Sequence, residues 1–91
     1  MTIILDEPEI GLHPYAISQL AREIRIASKT SQIIVSTQSP LLLDEFSCND
    51  VITAEYDIMR QCTLLKRHNE KELRDWLNNY TLGELWQKNV L

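Results

Sequence analysis

Apolar positions follow two rhythms along the chain, one of strands and one of helices. Ile3, Ile4 and Leu5 form a short continuous apolar run, the pattern of a buried strand in a parallel sheet. Thr2 to Asp6 is the first predicted strand. Pro8 stops regular structure, and Glu9 to Pro14 reads as a loop in which Gly11 is free to take a positive φ angle. Pro14 suits the first position of a helix, where the N–H it lacks would be unpaired anyway. Ile17, Leu20, Ala21 and Ile24 then recur at i, i+3, i+4 and i+7, which is one helix face. That helix fades over Ser28 to Ser31. Ile33, Ile34 and Val35 make a second, β-branched run. Strand, helix and strand predict a βαβ unit with parallel strands and a right-handed crossover.

The second half is less regular. Ser39-Pro40 can cap a short helix over Leu41 to Phe46. Asn49-Asp50 is a turn, and Val51 to Glu55 and Cys62 to Lys66 read as two further strands. Asn69, with Glu72 three residues on, resembles a helix start; Leu73, Trp76, Leu77 and Tyr80 give that helix an apolar face. Thr81 and Glu84 have capping-box spacing for a last short helix carrying Leu85 and Trp86. Trp76 and Trp86 fall on apolar faces and are expected in the core, the alternative being that they cover an interface.

Size and charge narrow the options. The 91 residues leave room for one small domain with a thin stability margin. The 44% hydrophobic content is that of a globular chain. A net charge of −4 argues against gripping nucleic acid through the overall field. No apolar run approaches the ~20 residues of a membrane span, and no secretory signal pattern opens the chain, so a cytoplasmic setting is expected. Cys48 and Cys62 read as reduced thiols, small and at least half-buried. With His13 and His68 they make no close ligand cluster, which argues against structural zinc. Lys66, Arg67, His68, Lys71 and Arg74 form a basic stretch, but Glu70–Arg74 and Lys71–Asp75 at i,i+4 spacing predict a salt-bridged, solvated helix face.

The chemistry gathers at the strand ends. The first strand finishes in two adjacent carboxylates, Asp6 and Glu7; the second in Ser36-Thr37-Gln38-Ser39-Pro40. Ligands of open α/β sheets sit beyond the carboxyl ends of the strands. A parallel βαβ unit therefore brings an acidic pair and a hydrogen-bonding tip to one crevice. That layout suits phosphate hydrolysis: one carboxylate orients magnesium, a second activates water, and an amide or hydroxyl meets the terminal phosphate. The plain alternative is a strand running into an acidic turn.

The motifs then acquire a family likeness. Ile3 to Pro8 resembles the Walker B motif of ABC-class P-loop ATPases. Glu9-Ile10-Gly11-Leu12-His13-Pro14 resembles the D-loop that follows it in AAA-type, RecF-, SMC- and OLD-like (overcoming-lysogenization-defect) branches. Val35 to Pro40 is similar to the switch segment, and Thr81 to Trp86 to a tail motif of such chains. The resemblance implies an α/β fold: a partial P-loop NTPase-like parallel sheet with flanking helices, lacking the phosphate-loop strand. Residues 1–91 would be a single partial ATPase domain. Asp6 would hold Mg2+, mostly through water, and Glu7 would act as general base. The switch position, usually His, is Gln38, which can donate a hydrogen bond but cannot carry a proton or a charge. Ser36 and Thr37 are secondary nucleotide-side candidates. Gly11, Leu12 and His13 would meet a second ATPase subunit; His13 as a helix-entry residue without chemistry is the competing reading.

Gly11 and Gly83 are the only glycines, so neither a G-x-x-x-x-G-K-[ST] loop nor a glycine-rich signature can be built. ATP and Mg2+ would thus bind only with a phosphate-loop segment supplied elsewhere. A chain that opens at once on a central strand fits that expectation. The related fold places the phosphate-loop strand between the switch strand and the next one, so Ile33 to Thr37 and Val51 to Glu55 should flank an empty slot. The family further implies homo-oligomers, and a nuclease partner or DNA in the complete protein, in DNA repair or phage defence. The alternative is a non-enzymatic remnant serving as a dimerisation or regulatory module.

Overall fold

A computed structural model of the protein describes residues 1–91. The chain divides into two compact units, Met1–Glu45 and Phe46–Leu91.

In the first unit, β1 (Thr2–Asp6) and β2 (Gln32–Ser36) pair in parallel. The register runs from Thr2 opposite Gln32 to Asp6 opposite Ser36. Between them lies α1 (Pro14–Ala27), followed after β2 by the single turn of α2 (Pro40–Leu43). This is the expected βαβ unit, with β1 and the start of α1 where the pattern puts them. The α2 helix ends sooner than the apolar run to Phe46 suggested, since Asp44 is already its C-cap. Ile17, Ala21 and Ile24 on α1 are buried, as is Leu42 on α2. Ser18 and Arg25, seven residues apart and so on one helix face, both hold Glu45: the Ser18 hydroxyl donates to Glu45 Oε1 at 2.9 Å and Arg25 Nη1 to the Glu45 carbonyl at 2.8 Å.

The strands alternate rather than being buried on both faces. Ile3, Leu5, Ile33 and Val35 are half-buried, whereas Ile4 is 73% and Ile34 50% exposed. The continuous apolar run therefore has one face covered and one open.

In the second unit, β3 (Ile52–Asp57) and β4 (Cys62–Arg67) form an antiparallel hairpin, with Thr53 opposite Lys66 and Asp57 opposite Cys62. Two helices follow, α3 (Glu70–Leu77) and α4 (Leu82–Gln87). Their starts are written in their caps. Asn69 Oδ1 accepts the N–H groups of Lys71 and Glu72. Thr81 and Glu84 close a reciprocal capping box, with bonds of 3.2 and 3.0 Å. Leu73, Leu82, Leu85 and Cys48 are buried.

Several expectations fail here. Trp76 is 45% exposed, set beside Tyr80 at 6.0 Å between ring centroids, because α3 ends at Leu77 before a fuller apolar face develops. Cys62 is exposed, since it lies beside the hairpin turn on β4, a strand exposed along its whole length. The pairs Glu70–Arg74 and Lys71–Asp75 do not close, whereas Arg25–Glu45 and Arg60–Asp57 do. An α3 of eight residues fixes few of the rotamers such long side chains need. His68 leaves the basic stretch for the interior, where Nε2 meets the Thr53 hydroxyl at 3.0 Å.

Burial pushes the His68 pKa below the ordinary imidazole value of 6.5, helped by the Lys66 charge and opposed by Glu72. The folded unit thus prefers neutral His68, while the unfolded chain takes up a proton near that value. The contribution is complete above about pH 6.5 and is lost as the pH falls below it toward the depressed folded value. Both tryptophans of the chain lie in this unit, so urea unfolding followed by tryptophan fluorescence reports on it. The midpoint should fall from pH 7.5 to pH 5, and His68→Gln should flatten that slope.

Candidate functional site

Parallel pairing ends both strands at the same edge of the first unit, Asp6 beside Ser36. The Ser36 hydroxyl donates to Asp6 Oδ1. The Glu7 backbone N–H donates to the Ser36 carbonyl at 2.7 Å, one step beyond the ladder. Glu7 then turns off the strand with φ +47°, left-handed backbone that a non-glycine residue adopts at a cost of about 1–2 kcal/mol. Such outliers concentrate where function over-determines the backbone. Here the turn keeps Glu7 beside Asp6 instead of letting β1 run on.

A second tie crosses one residue further out. The Thr37 hydroxyl donates to Glu9 Oε1 and accepts the Ser39 N–H at 3.0 Å. Ser39 Oγ in turn caps α2 by accepting the Leu42 N–H at 3.3 Å. Glu9 is buried, and its Oε2 has no hydrogen-bond partner. The sequence places Glu9 only as the first residue of the loop to Pro14 and gives it no role, since no spacing signal marks its burial.

The sequence candidates therefore separate into groups. Asp6, Glu7 and Ser36 are joined by hydrogen bonds across the two strand ends. Thr37 is tied to Glu9 instead. Gln38 is exposed between Thr37 and Ser39, and no hydrogen bond joins it to Asp6 or Glu7. Gly11 has φ +82° with nothing within 4 Å of the place a Cβ would take, so backbone conformation, not space, asks for glycine there. Leu12 and His13 are exposed with it. His13 serves locally as the N-cap of α1, its Nδ1 accepting the Tyr15 N–H at 3.2 Å.

No group of three or more His, Cys, Asp or Glu side chains is arranged to hold a metal ion. The adjacent carboxylates of Asp6 and Glu7 suit magnesium, which keeps several waters and takes one or two carboxylates plus phosphate oxygens, rather than a metal needing a full protein cage. No helix is long and apolar enough to cross a membrane.

Comparison with known proteins gives the same class. Residues 2–44 match the family described as AAA domain, putative AbiEii toxin, Type IV TA system. No curated protein matches the chain. Among solved structures, a chain from work on "ATP-driven dimerization and DNA stimulated activation of SMC ATPases" is similar over 85% of this chain, with a TM-score of 0.65 and 18% identity. The present chain spans 45% of that chain's length. The fold is thus α/β and similar to that of an SMC ATPase chain, and the family match falls on the βαβ unit.

The strained turn yields a direct expectation. A glycine at position 7 relieves the left-handed backbone, while alanine retains the strain. Glu7→Gly should be more stable than Glu7→Ala by about 1 kcal/mol, measured by thermal unfolding followed by circular dichroism. Equal stabilities would deny the strain.

Proposed function

We propose that this chain is the Walker B, D-loop and switch segment of an ABC-type ATPase, the half of the site that runs hydrolysis. The observation that carries the reading is the parallel, in-register end of β1 and β2, with Asp6, Glu7 and Ser36 bonded across it. Asp6, oriented by Ser36, would hold magnesium through water. The ion neutralises phosphate charge and orients the nucleotide when both are bound. Glu7 would take the proton from the attacking water as general base. Gln38 would donate its side-chain amide to the terminal phosphate or the water, without the proton-carrying capacity of a histidine. Ser36 and Thr37 would stand on the nucleotide side and keep the carboxylates aimed.

The loop at Gly11, Leu12 and His13, exposed ahead of α1, would meet a second ATPase subunit. ATP-driven dimerisation and stimulation by DNA are named for the SMC ATPase work whose structure this chain resembles; a role in DNA repair or phage defence, beside a nuclease, extends that likeness. The nucleotide-gripping loop would come from another segment. As the chain stands, it would be one part of a single ATPase domain acting in the cytoplasm.

A second reading, a non-enzymatic dimerisation or regulatory module, draws on one observation. Each sheet has only two strands, so every strand has an unpaired edge, and Ile4 and Ile34 are open beside those of the first unit. Such edges favour association. Light scattering at several concentrations should give a mass above that of the 10.6 kDa chain; a compact, highly stable monomer would count against self-association.

Hydrolysis distinguishes the two. The chain by itself should bind no ATP detectably in magnesium. Joined to a segment bearing a phosphate loop, it should hydrolyse ATP, and Glu7→Gln should lower that rate by roughly 10²–10⁴-fold while ATP binding survives. An unchanged rate would remove Glu7 from the role of base.

A further inference from the structure

We propose that Glu9 is the positioning residue of the switch: its buried carboxylate holds the Thr37–Ser39 turn and so sets the direction of Gln38. The catalytic consequence rests on the ATPase reading above; the link itself does not.

Hydrogen-bond chemistry fixes the direction of the relay. The Ser39 N–H can only donate, so Thr37 Oγ1 accepts there. The single hydroxyl proton of Thr37 is then free for Glu9 Oε1, where it lies. Beyond the turn, Ser39 is held twice more: its Oγ accepts the Leu42 N–H and its carbonyl accepts the Leu43 N–H at 3.1 Å. Gln38 is thus the exposed apex of a turn pinned to Glu9 on one side and to α2 on the other. Its own side chain makes no hydrogen bond, so the backbone on either side must aim it.

Burial makes the tie strong. Glu9 is 8% exposed, and Oε2 has no partner. The Thr37 hydroxyl is therefore the carboxylate's one side-chain partner. A buried carboxylate stripped of its last donor costs far more than a solvated one, which ties the position of Thr37 to that of Glu9. The loop fixes the carboxylate's own base, since the Leu12 N–H donates to the Glu9 carbonyl at 3.0 Å.

Reach and charge can be separated by substitution. Glu9→Gln keeps an acceptor oxygen at the same distance and removes the charge; Glu9→Asp keeps the charge and shortens the arm by one methylene. Amide exchange and side-chain relaxation measured by nuclear magnetic resonance on the 91-residue chain, without nucleotide, read the link. In Glu9→Asp, protection of the Ser39 amide should fall about tenfold, the worth of one hydrogen bond, and the order parameter of the Gln38 side-chain amide should drop. Glu9→Gln and Thr37→Ser should retain both. Three results overturn the proposal: an unprotected Ser39 amide in the unsubstituted chain, no change in Glu9→Asp, or an equal loss in Glu9→Gln. Because no ATP is present, these outcomes are independent of whether Glu7→Gln abolishes hydrolysis, and the two readings can fail separately.

Discussion

The parallel pairing of β1 with β2 is the constraint on which the site depends. Side chains alternate with a period of two, so a slip of one residue would send Asp6 or Ser36 to the opposite face and break their bond. Two features resist the slip. The half-buried faces, Ile3 and Leu5 on one strand and Ile33 and Val35 on the other, must stay on the same side. Beyond the last ladder pair, the Glu7 N–H closes on the Ser36 carbonyl. That bond is also where the chain leaves the sheet, so one interaction sets register and launches the turn that carries the second carboxylate. The strain at Glu7 is the cost of leaving at that point.

Little else in the first unit is heavily buried. Ile17, Ala21, Ile24 and Leu42 form its buried apolar set, and Ile4 and Ile34 on the sheet are open. At roughly 25 cal/mol per Å2 of apolar surface removed from water, so few side chains leave a narrow margin against chain entropy. Polar ties then matter more than usual. The Arg25–Glu45 ion pair, long at 3.8 Å with Arg25 exposed and Glu45 half-buried, contributes little; the bond from Arg25 to the Glu45 carbonyl and the Ser18 bond to the same residue fix the end of the α2 segment more firmly.

How far the residues announced this fold varies by the kind of signal. Caps were legible because they are local: Asn69 and the Thr81–Glu84 box act within one turn, and both form. The βαβ unit was legible because apolar period and proline position agree from Thr2 to Val35. Burial was not, because it depends on what lies across from a residue. His68 sits in a run of cations, yet the hairpin brings Thr53 to its ring. Trp76 has helical spacing, yet its helix stops one residue later. Ile4 sits in an unbroken apolar run, yet only its neighbours on either side are covered. The acidic pair and the polar end of β2 were visible as sequence; the burial of Glu9 was not, since a carboxylate buried by a loop carries no periodicity at all.

On the proposed ATPase reading, Gln38 is where the chemistry and the backbone would meet. A histidine at a switch position brings its own charge and can exchange a proton, so modest misplacement is tolerated through long-range attraction to phosphate. A neutral amide has only directional hydrogen bonds, which weaken steeply as their angle departs from linear. An amide switch therefore needs a better-held backbone than an imidazole switch does. The turn that carries Gln38 is pinned at Thr37 and again at Ser39, which on the proposed ATPase reading is the arrangement an uncharged donor would require.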